Sequence, residues 1–177
     1  MKVICYGDSN TYGYDPRSRI GERYEKGWPE LLAEKTGWQV VNMGENGREI
    51  PRFTVSFPAD TDLLIVMLGT NDLLQFWTPE AAAEKMEQFL SGLTLARDNI
   101  LLLAPPPMSL GEWVQDQELI DDANMLGIHY EELAGRLCIR YGRVDSLPPM
   151  AYDGVHLTEE GHRTFAQALY EMLHKGE

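Results

Sequence analysis

Short apolar runs alternate with helix-period segments along the chain. Lys2 to Tyr6, Gln39 to Met43, Asp62 to Leu68, Ile100 to Ala104 and a short Gly142 to Asp145 read as strands. Several are nearly continuous in Val, Ile and Leu, the pattern of strands covered on both faces of a parallel sheet. Between them, Met86, Phe89, Leu90 and Leu93 recur at i, i+3, i+4 and i+7, one face of a helix. Leu119, Ala123, Leu126, Tyr130, Leu133 and Leu137 mark a longer helix, with Gly127 a weak point at its middle. Phe165, Ala168, Leu169, Met172 and Leu173 mark the last, and Trp28, Leu31 and Leu32 a shorter one ending before Gly37. Thr78-Pro79 and Thr158 occupy the places of N-caps.

Strand and helix in this order predict an α/β fold, a three-layer α/β/α sandwich of flavodoxin-like architecture around about five parallel strands. The 177 residues suit one domain, 1–177. In such open sheets ligands bind beyond the carboxyl ends of the strands. Chemistry is therefore expected just after Tyr6, Met43, Leu68 and Ala104.

Composition narrows the partners. Apolar residues make up 44% and charged ones 24%, as in an ordinary folded globule. Fifteen Lys and Arg face 28 Asp and Glu, for a formal charge of −13. Such a surface repels phosphate backbones and anionic lipid, which argues against nucleic acid and membrane surfaces as partners. No apolar run reaches the length of a membrane span, so no membrane insertion is expected. The N-terminal stretch lacks the long apolar segment and cleavage site of a secretory signal. Cys5 and Cys138 are the only cysteines and form no CxxC, consistent with two reduced, mostly buried thiols and a cytoplasmic location.

Polar clusters fall where the sheet predicts them. After the first strand comes Gly7-Asp8-Ser9-Asn10-Thr11. A serine at a strand-to-helix turn exposes its hydroxyl above the sheet and has a free amide beside it. Equally, Ser9 could cap the helix, or the turn could cradle a phosphate. After the second strand, Gly44 and Gly47 in Asn42-Met43-Gly44-Glu45-Asn46-Gly47-Arg48 allow a tight reversal that leaves an N–H in the cleft. The plainer reading is a turn with solvated Glu45 and Arg48. Asn71, after the third strand, offers a neutral carboxamide donor, or a helix cap. Near the C-terminus, Asp153-Gly154-Val155-His156 lets a carboxylate hold one imidazole nitrogen while the other faces a hydroxyl. GxGxxG and GK[ST] are absent, leaving nucleotides without their phosphate-binding glycines. His129, His162 and His174 are dispersed, and His156 with His162 makes no convincing ligand pair, so neither metal nor cofactor is predicted.

Taken in order, these four blocks resemble those of the SGNH (GDSL) hydrolases, from Val3 to about Leu173, and a small esterase- or acyltransferase-like member in particular. The resemblance implies Ser9 as nucleophile, His156 as general base and Asp153 as its orienting partner. It implies an oxyanion hole from the Ser9 N–H, the Gly47 N–H and the Asn71 side chain. Gly44 competes with Gly47; counting from Asn42 favours Gly47, followed by Arg48-Glu49. Asn10 stands where the name motif has Leu, and is read as a difference in packing rather than in chemistry. The implied activity is that of a serine esterase hydrolysing short-chain esters, or transferring their acyl group, through an acyl-Ser9 intermediate.

Tyr12, Tyr14, Phe53, Phe57, Phe76, Trp77 and Trp113 fall in or beside the loops at the cleft mouth. Core packing or loop anchoring explains each, with Phe76 and Trp77 the best candidates for a substrate-binding wall. The expected partner is a small-molecule ester, and a homo-oligomer stays open. Two alternatives remain: a non-catalytic small-molecule-binding domain that keeps the fold, and a phosphate-binding flavodoxin-like domain.

Overall fold

Alternation along the central strands decides how the sheet is covered. The computed structural model describes residues 1–144 and 147–174. Leu63, Ile65 and Met67 turn to one face, with Val3, Cys5, Leu101 and Leu103; Leu64 and Val66 turn to the other, with Ile4, Tyr6, Ile100 and Leu102. Both faces are apolar, so both need helices.

The strands are β1 (Lys2–Gly7), β2 (Gln39–Gly44), β3 (Leu63–Met67), β4 (Ile100–Leu103) and β5 (Arg140–Gly142). They pair in the order β2-β1-β3-β4-β5, every pair parallel. The helices are α1 (Ser9–Tyr12), α2 (Trp28–Thr36), α3 (Thr70–Leu74), α4 (Pro79–Ser91), α5 (Gln117–Leu137) and α6 (Glu159–His174). Trp28 and Leu32 of α2 and Phe165 and Leu169 of α6 cover the first face. Met86, Phe89 and Leu90 of α4 and Leu126, Tyr130 and Leu133 of α5 cover the second. The result is the three-layer α/β/α sandwich. Each buried Leu or Phe contributes about 1.5–3 kcal/mol of transfer free energy.

Connections leave β1 toward β2 and leave β3 toward β4, in opposite directions. The carboxyl ends of the adjacent strands β1 and β3 therefore bound the crevice where open α/β sheets bind ligands. Local chemistry ends the elements as expected: Thr78 Oγ1 accepts from Ala81 N, Thr158 Oγ1 from Gly161 N, and Gly37 closes α2 in the left-handed conformation.

Two expectations need correcting. The fifth strand is Arg140–Gly142, not Gly142 to Asp145, and Asp145 lies outside the described residues. Its register is set by pairing with β4, Leu101 opposite Arg140 through Leu103 opposite Gly142, while exposed Arg140 hides it from an apolar-run search. A Cβ at Gly142 would lie 2.7 Å from Met172 Sδ, so glycine lets α6 close over this edge. Cys138, expected to be buried, is exposed, because it caps α5 in the left-handed conformation (φ 52°) at the surface. α5 also runs unbroken through Gly127.

Buried His162 joins α6 to α2. Its Nδ1 accepts from Trp28 N at 3.2 Å, so the neutral ring carries its hydrogen on Nε2. Burial pushes its pKa down from 6.5 to about 4; Glu30 opposes this, while the positive charge of Arg23 reinforces it. Between pH 6.5 and 4 the unfolded chain binds a proton at this position that the folded chain refuses. Stability therefore falls with pH through this window, by on the order of 3 kcal/mol in total. The stability of wild type relative to His162→Gln, which cannot titrate, should decline by that amount between pH 7 and 4 in chemical denaturation. A difference independent of pH would contradict the assignment.

Candidate active site

The turn after β1 is built around Asp8. Its Oδ1 accepts from Asn10 N (2.9 Å) as the N-cap of α1, which makes Ser9 the first helical residue and not the cap. Burial pushes the Asp8 carboxyl up to about 6, against the hydrogen bond from the Asn10 amide. Ser9 is 6% exposed and its amide donates to no other described residue.

Across the crevice lies the segment before α6. Ala151 N donates to His156 O (2.7 Å) and Gly154 N to Ala151 O (3.0 Å), folding this segment into a compact loop. Within it, Asp153 Oδ1 accepts from Val155 N (2.9 Å) and His156 N (3.0 Å). Its Oδ2 lies 2.8 Å from His156 Nδ1. Burial pushes the Asp153 carboxyl up, but the hydrogen bonds from the His156 ring and from both backbone amides outweigh it, and the net direction is down. His156 Nε2 then lies 2.9 Å from Ser9 Oγ, closing a gap of 147 positions in sequence. The carboxylate acceptor places hydrogen on Nδ1 and leaves Nε2 to accept from the serine hydroxyl.

The turn after β2 docks beside this chain of hydrogen bonds. Glu45 N donates to Gly7 O (3.1 Å), and Arg48 Nη1 donates to Gly7 O (2.9 Å) and to Met43 O. Arg48 was expected to be solvated. Instead its guanidinium fastens the turn to the end of β1 and covers the Tyr6 ring at 4.3 Å.

The two competing glycines separate by environment. A Cβ at Gly44 would meet Tyr12 N at 2.1 Å, and the Gly44 amide already donates to Asn42 Oδ1 (2.9 Å), so Gly44 serves close packing. Gly47 sits at φ 75° with open space around it, and its amide donates to no other described residue. Asn71, inside α3 and not at its cap, donates one Nδ2 hydrogen to Arg48 O (3.0 Å), beside Gly47, and keeps the other. Behind it, Asp72 Oδ2 accepts from Ile50 N (3.0 Å) and Asp72 Oδ1 from Lys85 Nζ (2.5 Å), which ties α3 to the β2 turn and to α4.

Aromatic rings surround the imidazole. Tyr14 and Trp113 lie 4.7 and 5.3 Å from the His156 ring, centroid to centroid. The loop carrying Trp113 is pinned to the same segment, with Trp113 N donating to Asp153 O (3.0 Å). Trp113 also lines a groove of about 510 Å³ with Phe76 and Trp77, and neither Ser9 nor His156 is part of that lining. Phe76 is 97% exposed at φ 65°, and Trp77 lies under Arg52. Phe57 packs on Tyr6, Tyr12 lies against Arg23, and exposed Phe53 lines a separate small site with Gln88.

Comparison with known proteins identifies the family of the chain. The model of a family described as GDSL-like lipase/acylhydrolase matches residues 5–164. Among solved structures, a carbohydrate acetylesterase family member from Sinorhizobium meliloti superposes with TM-score 0.80 at 24% identity, over 98% of this chain and 97% of that one. The native aryl esterase of M. smegmatis gives 0.76 at 25% identity over 98% of both chains. A member of the lipolytic G-D-S-L family from Veillonella parvula gives 0.72 at 22% over 97% of both. No curated protein matches the chain.

Proposed function

Since the chain belongs to the GDSL-like lipase/acylhydrolase family and is a carboxylic-ester hydrolase, we propose that it acts on short-chain esters through an acyl-Ser9 intermediate. The observation that carries this reading is the run of hydrogen bonds from Ser9 Oγ through His156 to Asp153.

His156 Nε2 accepts the Ser9 proton as Oγ attacks the ester carbonyl carbon. The C–O π electrons move onto the carbonyl oxygen, where the Ser9 and Gly47 amides and the free Asn71 N–H donate to the oxyanion. Donors already fixed in place stabilise this charge without reorganising, and loss of one typically costs about 10²–10³ in turnover. Asp153 keeps the proton on Nδ1 and stabilises the imidazolium. Collapse of the tetrahedral adduct breaks the bond to the alcohol, which leaves with the proton held on Nε2. Water, or a second alcohol, is then deprotonated by His156 and attacks acyl-Ser9, and Oγ leaves with that proton.

Phe76 and Trp77 contribute an apolar wall to the groove that Trp113 connects to His156. Two of the solved relatives are named as a carbohydrate acetylesterase family member and an aryl esterase, and a site flanked this closely by Tyr14 and Trp113 favours a small acyl group. In a p-nitrophenyl ester series, kcat/KM for acetate should exceed that for decanoate by at least about 10-fold, since a long acyl chain meets the Tyr14 and Trp113 rings beside His156 and its misfit weakens transition-state binding. A decanoate optimum would overturn the short-chain reading and leave the nucleophile assignment intact. No helix among the described residues is long and apolar enough to cross a membrane.

A further inference from the structure

Asn10 departs from the motif that Ser9 otherwise follows, and it is 2% exposed. Its Nδ2 donates to Val155 O at 3.0 Å, and its Oδ1 accepts from Leu157 N at 2.9 Å. A carbonyl can only accept and an amide N–H can only donate, so the orientation of this side chain is settled by its partners. The two partners flank His156 in sequence. One buried carboxamide, adjacent to the serine, thus grips the backbone on both sides of the histidine across 145 and 147 positions. It copies the pairing of a strand where no strand exists.

We propose that Asn10 is a positioning residue that sets the separation of Ser9 Oγ and His156 Nε2. The inference rests on the roles given above to Ser9 and His156. On the opposite side the histidine loop is held by other means: Ser109 N donates to Gly154 O and Trp113 N to Asp153 O, both at 3.0 Å. These contacts fix the loop to the segment after β4, not to the turn carrying the serine. Beside the Ser9–His156 hydrogen bond itself, Asn10 ties the backbone of the loop to that turn. Leucine has nearly the same shape but leaves Val155 O and Leu157 N unpaired, which frees the loop to move relative to Ser9 while the packing persists. Aspartate keeps an acceptor for Leu157 N and loses the donor to Val155 O.

The test measures kcat and KM for p-nitrophenyl acetate in Asn10→Leu and Asn10→Asp, each alone and combined with His156→Ala. Rates are taken per folded molecule from denaturation curves. Misplacement of a catalytic group by about 1 Å can cost about 10²-fold. Asn10→Leu should therefore lower kcat about 100-fold and Asn10→Asp about 10-fold, with KM changed by less than about 3-fold. On the His156→Ala background either substitution should change the residual rate by less than about 2-fold, because groups acting as a unit are not additive. The low-field proton resonance of His156 Nδ1–H should shift or broaden in both single variants. If the leucine variant is unfolded, the aspartate variant decides. Full kcat in a folded Asn10 variant, or an equal loss with and without His156, would overturn the role of Asn10. If Ser9→Ala itself kept wild-type activity, it would be the nucleophile assignment that failed.

Discussion

Ser9→Ala is expected to lower kcat for p-nitrophenyl acetate by at least about 10⁴-fold while the fold persists. Ser9 Oγ bonds to His156 Nε2, and its backbone begins α1, where alanine is an excellent helix former. Removing the oxygen deletes the atom that forms the acyl bond and leaves Asp8 capping the helix and Asn10 holding the loop. The melting temperature should therefore stay within a few degrees of wild type. Residual turnover would come from the oxyanion donors acting on water. Circular dichroism alongside the assay separates loss of chemistry from loss of structure, and a folded, fully active alanine variant would remove Ser9 from its role.

Asp153→Asn should be nearly as severe, by about 10⁴-fold in kcat, although it changes one atom. The Asn oxygen can still accept from the Val155 and His156 amides, so the loop keeps its shape. Its Nδ2 hydrogens then face His156 Nδ1 in place of the carboxylate oxygen 2.8 Å away. Nδ1 must become the acceptor, the ring proton moves to Nε2, and Nε2 can no longer take the Ser9 proton. The imidazolium formed during attack also loses its counter-charge. Because the error lies in the tautomer, KM should change little. A kcat within about 10-fold of wild type would show that this carboxylate does not orient the histidine.

Much of this site was legible in the chain because parallel α/β sheets put chemistry at the carboxyl ends of their strands. Ser9, Gly47 and Asn71 follow β1, β2 and β3 within a few residues, so finding the apolar runs located their clusters, and the resemblance to the family picked these residues from them. The spacing of Asp153 and His156 marked them as a possible pair, and only the resemblance to the family gave each a role. What was not legible depends on contacts far apart in sequence. Arg48 looks like a surface residue until the end of β1 supplies Gly7 O as its acceptor. Asn10 looks like a packing variant until the chain returns 145 positions later with the backbone that it binds. The fifth strand was displaced for a related reason: a three-residue edge strand takes its register from β4, and its own composition scarcely marks it. Tyr14 and Trp113 were visible as cleft-mouth aromatics, but their contact with the imidazole follows only from where their loops are tied.

The most direct test of Ser9 as an activated nucleophile is covalent. A fluorophosphonate reacts with a serine oxygen whose proton a neighbouring base removes, expelling fluoride and leaving a phosphonyl ester. Intact-mass and peptide-mass measurement after treatment should find one adduct per chain, on the peptide containing Ser9, and none in His156→Ala over the same interval. An unmodified chain, or a label on another residue, would contradict the catalytic arrangement and favour a domain that binds small molecules without turning them over.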